Sequence, residues 1–215
     1  MKIVAISDLH GYLPQLPEAD VICIAGDITA DEHTKDVEGQ WKWYNEKYLP
    51  WVEALPARKV ITIAGNHDYC FLEHTPITTD KHIYLNNSGV EIDGYTFYGS
   101  PNTRPAINNY GFSKTSAELT EIFNRIPDKL DFLICHSAPY GVNNCGMLGD
   151  ESEDLGNKEL TEALKDKNIG YIFCGHIHTG NHNLGEWRGK KIANVSYCKE
   201  NKVPAYEPLV IFCEQ

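Results

Sequence analysis

The sequence predicts an α/β fold built on a mixed β-sheet, and three observations carry the prediction. Short runs rich in Val and Ile recur along the chain. Stretches with an apolar residue at every third or fourth position lie between some of them, and an Asp-Gly pair sits inside one extended-type region.

In order, the strand-like runs are KIVAIS at 2–7, DVICIAG at 20–26, KVITIAG at 59–65, YTFYGS at 95–100, DFLIC at 131–135, YIFCG at 171–175, KIANVS at 191–196 and LVIFC at 209–213. Their length, β-branched content and flanking Gly or Pro mark them as buried strands. Between the second and third, Val37, Trp41, Tyr44, Tyr48, Trp51 and Leu55 step by three or four and form one apolar helix face. Pro50 should kink or end that helix near its last turn. A second helix carries Leu119, Ile122, Phe123 and Ile126, with Thr115 and Glu118 as a capping box. Leu160, Ala163 and Leu164 suggest a third. HIYL at 82–85 and GVEIDGYTFYGS at 89–100, with its Asp93–Gly94 turn, predict a local antiparallel hairpin, which makes the sheet mixed.

Composition narrows the function. A chain of 215 residues with 42% hydrophobic and 23% charged residues suits one soluble, well-buried domain over 1–215. A formal charge of −11 argues against gripping the backbone of long nucleic acids by general attraction. Any phosphate handled here needs a local positive centre, and since few Lys or Arg cluster, a metal is an attractive one. The seven cysteines are odd in number, and Cys23, Cys135, Cys174 and Cys213 fall inside apolar runs, where a free thiol behaves as a small hydrophobe. A reducing cytoplasm is the expected compartment. The apolar start is too short for a signal-peptide core, and no window approaches a membrane span.

The chemistry lies where the runs end. KIVAIS leads into Asp8 and His10, DVICIAG into Asp27, KVITIAG into Asn66, His67 and Asp68, DFLIC into His136, and YIFCG into His176 and His178. Open α/β sheets bind ligands at the carboxyl ends of their strands, and five such coincidences point to one site. Imidazole, carboxylate and amide oxygen together suit Mn, Fe, Zn, Co or Ni better than Ca or Mg, which prefer all-oxygen shells. Seven donors (Asp8, His10, Asp27, Asn66, His136, His176 and His178) are too many for one tetrahedral ion and about right for two. Two ions roughly 3.5–4 Å apart are the usual clamp for in-line displacement at phosphorus. In an extended segment His176 and His178 face the same side, so each can serve one ion of the pair.

The ordered motifs Asp8-Leu-His10, Gly26-Asp27, Gly65-Asn66-His67-Asp68, His136 and Gly175-His176-Ile-His178 resemble those of the calcineurin-like metallophosphoesterases. GDIT, YGSP, HSAPYG and NVSYC resemble the small MPPED-type phosphodiesterase branch of that superfamily. The resemblance implies a four-layer α/β/β/α sandwich of two mixed β-sheets flanked by helices. It implies Asp8, His10 and His178 on a first metal, Asn66, His136 and His176 on a second, and Asp27 bridging, with Mn2+ favoured. His67 would be catalytic without binding metal. Asn66, His67 and Arg104, the last in the irregular stretch SPNTRPAINNYGF, would contact the substrate. The implied reaction is hydrolysis of a small phosphodiester, such as a cyclic nucleotide, by in-line attack of a metal-bridging hydroxide. His67 would stabilise or protonate the leaving oxygen. No Ser or Cys is placed as a nucleophile, so no covalent intermediate is expected.

Two alternatives stand beside this reading: a phosphomonoesterase acting on nucleotides or phosphoproteins through the same metals, and a non-catalytic scaffold on this fold. The protein Ser/Thr phosphatases of the superfamily carry Asp-Arg-Gly after the second motif and Glu after the histidine of the third. Here GDITADEH and Asp68 stand in those places, so the phosphate-clamping Arg and the carboxylate that orients the histidine are both missing from them. Asp68 reads as a structural partner, His33, His74, His82 and His182 as ordinary histidines, and Trp41, Trp43 and Trp51 as helix packing. A Cys/His zinc site using Cys174 is a rival that the Asp and Asn partners fit poorly.

Overall fold

In the computed structural model, which describes residues 1–30, 35–105, 111–149 and 153–213, two mixed sheets pack face to face. The first has the order β11–β1–β2–β3–β4, formed by Leu209–Phe212, Lys2–Ile6, Ala19–Ala25, Ala57–Ile63 and His82–Tyr84; only the edge strand β11 is antiparallel to its neighbour. The second has the order β5–β6–β7–β8–β10–β9, formed by Ser88–Ile92, Tyr95–Ser100, Lys129–Cys135, Asn168–Cys174, Lys190–Asn194 and Gly185–Trp187. It is parallel in the middle and antiparallel at both ends.

The central strands are covered on both faces, which is why their sequences read as apolar runs and not as alternation. Ile3, Ala5, Val21, Cys23, Ile61 and Ile63 of the first sheet meet Phe97, Phe132, Ile134 and Phe173 of the second in the layer between them. Their sequence neighbours Val4, Ile6, Ile22, Ile24 and Val60 point outward against Tyr44, Tyr48 and Val52 of the helical segment 37–54. On the opposite side Leu133, Ile172 and Ile192 lie under Leu119 and Phe123 of α4 (Ser116–Asn124) and under Leu160 and Leu164 of α5 (Lys158–Leu164). This is the four-layer α/β/β/α arrangement. The capping box forms as expected: Glu118 N donates to Thr115 Oγ1 and Thr115 N to the Glu118 carboxylate. Trp41, Trp43 and Trp51 pack on the outer core, and the seven cysteines are free thiols. Among the described residues no helix is long and apolar enough to cross a membrane.

The local details sharpen one expectation and overturn another. Pro50 does not end its helix. Helix α1 (Val37–Trp43) widens into a π-helical stretch at Tyr44–Tyr48 and runs on as α2 (Leu49–Ala54), with Pro50 in the opening turn. The wider winding takes up the missing N–H and the ring clash that would otherwise break the ladder. The hairpin forms between β5 and β6 alone, turning through Asp93 and Gly94 at φ 51° and 80°. HIYL instead crosses to the other sheet as β4, parallel to β3; a run that short has too little periodicity to declare its partner. Two brief elements, α3 (Cys70–Glu73) and β9, carried no pattern the sequence reading used.

Candidate metal centre

Strands β1, β2 and β3 of one sheet and β7 and β8 of the other bring their carboxyl ends together. The sheets are stitched there by a Ser7–Ser196 bridge and by His136 Nδ1 donating to Ala25 O, while Gly175 N donating to His136 O ties the ends of β7 and β8 within the second sheet. The turns that follow are tight: Asp8, His10, Asp27 and His176 adopt left-handed backbone at φ 54°, 44°, 50° and 70°. Non-glycine residues hold that conformation when their surroundings impose it. Here Asp8 N donates to Gly26 O and His10 N to Asp27 O, each at 2.9 Å. Glycine is required where the turns meet. A Cβ on Gly65 would overlap Asp27, and one on Gly175 would overlap the Ser7 hydroxyl and the Asp8 carboxylate.

Two sets of buried donors result, Asp8 with His10 and His178, and Asp8 with Asp27 and His136. In the first, His178 Nδ1 donates to the Lys199 carbonyl, so Nε2 presents its lone pair. That nitrogen lies 3.1 Å from Asp8 Oδ1 and 3.2 Å from His10 Nε2. In the second, His136 has likewise spent Nδ1, and its Nε2 lies 3.3 Å from Asp27 Oδ2 and 3.0 Å from Asn66 Oδ1. Asp27 Oδ2 is also 3.9 Å from His10 Nε2, so this carboxylate faces both sets. The His176 ring lies beside this set, 5.2 Å from the His136 ring.

These separations fit metal. Two donors each about 2.1 Å from one ion, at right angles, lie ~3 Å apart. Nitrogen and oxygen lone pairs turned on one point repel unless a cation lies among them, and this mixture of donors suits a divalent transition ion.

Electrostatics agree. Burial lowers the affinity of His136 and His178 for a proton, yet the neighbouring carboxylates prevail. Asp27 raises His136 to about 9, and the hydrogen bond and charge of Asp8 raise His178 to about 9. Burial would raise the two carboxyls, but His178 and His136 hold Asp8, and His136 and His67 hold Asp27, far below the usual carboxylate range. His176, desolvated and beside His136, falls to about 4.

The supporting residues were not all legible beforehand. Asp8 Oδ2 accepts from Ser196 Oγ at 2.8 Å, the His176 N–H is shared between Oδ2 at 3.1 Å and Oδ1 at 3.2 Å, and Oδ1 faces His178 Nε2. Ser196 closes the run KIANVS just as Asp8 follows KIVAIS, so its position was the available signal. His67 donates its N–H to Asp27 Oδ1 at 2.8 Å, and its ring stands edge-on to His10 at 5.1 Å. Asp68 is buried and accepts from Ile28 N, Thr29 N, Thr29 Oγ1 and Gly65 N, tying the second motif to the third. It is the structural partner expected.

His178 belongs to the first donor set while the His176 ring stands beside that of His136, a parting not made by strand alternation. The strand stops at Cys174, and the left-handed turn at His176 separates the two rings. Cys174 points away, its thiol donating to Ala193 O, and neither donor set contains a cysteine. Arg104 is exposed, with its guanidinium on the Gly156 carbonyl at 3.3 Å. Of the loop that follows, 106–110 lies outside the described residues, as does His33. His74 stacks on Trp41, and His182 on Tyr206.

Two sheets, four layers and a dinuclear donor cluster at the strand ends describe a metallophosphoesterase architecture. Residues 1–180 match the calcineurin-like phosphoesterase family, and the chain belongs to it. Proteins of this family use a dinuclear divalent metal centre for phosphoester hydrolysis. The chain is 28% identical over 240 residues to human metallophosphoesterase domain-containing protein 1, covering 98% of this chain and 70% of that protein. It is 25% identical over 233 residues to the Caenorhabditis elegans UPF0046 protein K07C11.7, covering 99% and 75%. Among solved structures, the phosphopantetheinyl hydrolase of Mycobacterium tuberculosis superposes with a TM-score of 0.56 at 14% identity, over 94% of this chain and 90% of that one, a likeness of fold alone.

Proposed function

We propose that this chain hydrolyses small phosphodiesters, cyclic nucleotides or similar, at two divalent ions, with manganese favoured. Asp8, His10 and His178 would hold one ion and Asn66, His136 and His176 the other, with Asp27 available to both. The observation that supports this most directly is the facing of His178 Nε2 toward Asp8 Oδ1 and His10 Nε2 at 3.1 and 3.2 Å, with His178 Nδ1 already committed to a carbonyl. Bound there, the ions would supply Lewis-acid charge and activate the attacking water.

The chain's own residues do the rest. Asp8 and Asp27 cancel only part of the cationic charge, and the neutral amide of Asn66 adds no further negative charge against an incoming phosphoryl group. His67, beside His10, stabilises or protonates the leaving oxygen, a contribution on the order of 10²–10⁴-fold. The diester reading is favoured over the monoester by the resemblance of GDIT, YGSP, HSAPYG and NVSYC to the MPPED-type phosphodiesterase branch. Burial pushes the Cys135 and Cys174 thiols up, away from the nucleophilic thiolate, so no phosphoryl-enzyme is expected.

Metal-stripped chain reconstituted with Mn2+ tests this on bis- and mono-(p-nitrophenyl) phosphate. We expect two ions per chain and faster diester turnover. Turnover confined to the monoester would move the function to a phosphomonoesterase, and full loading without turnover on either would indicate a scaffold.

A further inference from the structure

The carboxylate next in sequence to His67, that of Asp68, serves the backbone of neighbouring turns at Ile28, Thr29 and Gly65. Two hydrogen bonds tie the 67–70 turn to α1, on the outer side of the first sheet. Gln40 is only 1% exposed and uses both ends of its amide on this turn. Its Nε2 donates to the His67 carbonyl at 2.8 Å, and its Oε1 accepts from Cys70 N at 3.0 Å. On the other side of the residue, Asp27 Oδ1 takes the His67 N–H at 2.8 Å. With the peptide groups on both sides of Cα clamped, the side chain leaves the backbone in one direction, and the ring meets His10 at an interplanar angle of 84°.

We infer that Gln40 is a positioning residue for His67, setting where the imidazole stands over the metal pair by holding its carbonyl. The inference rests on the catalytic role proposed for His67. A buried primary amide carries four hydrogen-bonding positions that an apolar helix residue would not need to satisfy. Gln40 directs two of them at the ends of the 67–70 turn. Displacing a catalytic group by on the order of 1 Å can cost about 10²-fold in rate.

Two variants of the full, manganese-loaded chain test this. Gln40→Met keeps the volume and loses both bonds; Gln40→Glu still accepts from Cys70 N and loses only the donor to His67. Both should lower kcat on the diester by roughly 10- to 100-fold with KM unchanged and both metals retained. In a His67→Ala background neither should cost anything more. Unchanged kcat, a loss in the Met variant alone, or a full second loss on top of His67→Ala would each overturn the inference. If the wild-type chain loads two metals and hydrolyses nothing, the functional reading fails first, and the link is then read by imidazole NMR on the zinc-loaded chain. Gln40→Glu should shift or split the His67 ring signals and leave those of His82 in place; unmoved His67 signals would sink it.

Discussion

His136 and His82 are both fully buried histidines on the strand framework, and they have opposite chemistry. His82 Nδ1 donates to Ile77 O at 3.0 Å, and its Nε2 accepts from Thr62 Oγ1 at 3.1 Å, which in turn accepts from the Tyr48 hydroxyl at 2.7 Å. The chain of bonds closes with every group neutral, and burial lowers the His82 pKa. His136 is buried as deeply, but its second nitrogen looks at a carboxylate, and Asp27 raises it to about 9. Burial penalises charge in both. Whether the partner is a hydroxyl or a carboxylate decides which histidine is finished by the protein and which waits for a cation.

The comparison is broken most severely by removing Asp27, the carboxylate of the second donor set that also faces His10 of the first. Asp27→Ala should take metal content below two ions per chain, read by elemental analysis. It should also lower diester turnover by at least about 10³-fold, the scale of several kcal/mol of Lewis-acid stabilisation. His67→Ala should keep both ions and lower kcat on the order of 10²–10⁴-fold; an unchanged rate would remove His67 from the mechanism. Ser196→Ala removes one of the bonds that aim Asp8. It should weaken metal binding by about 10–100-fold, measured by competition with a chelator, because groups behind a ligand set its orientation.

The smallest effects sharpen the comparison by sign. In metal-free chain, His136 and His178 have folded pKa values above the unfolded 6.5. Their contribution to stability is therefore complete below about pH 6.5 and fades as the pH rises through about 9. The melting temperature should fall across that window, and bound metal should abolish the fall by replacing the protons. His82 has a folded pKa below 6.5, so its contribution is present above 6.5 and fades as the pH drops below it toward the lowered value. His82→Gln should remove that acid-side loss and leave the alkaline one untouched.

The donors were legible because each follows a strand that is buried on both faces, and such strands announce themselves as apolar runs. A polar residue directly after one has little reason to be there except a site or a cap. The hairpin turn and the capping box were equally local, the first in Asp93–Gly94 and the second in Thr115–Glu118. Gln40 escaped because it lies within an amphipathic helix, where a polar residue reads as a solvated face until the helix is docked. Ser196 escaped because a serine at a strand end is ordinary unless one knows that Asp8 is opposite it.

The order of residue types along the chain therefore determined, unaided, that this is a layered α/β protein with carboxylate, amide and imidazole donors at the ends of successive strands. Tertiary structure alone decided that Asp8 and Asp27 lie among histidines more than a hundred residues away, and that His176 and His178 part company at a left-handed turn. It also decided that an amide from an outer helix reaches the His67 carbonyl. Strand and helix periods are set by neighbours in sequence, whereas the direction of a lone pair is set by whatever the folded chain brings to within about 3 Å of it.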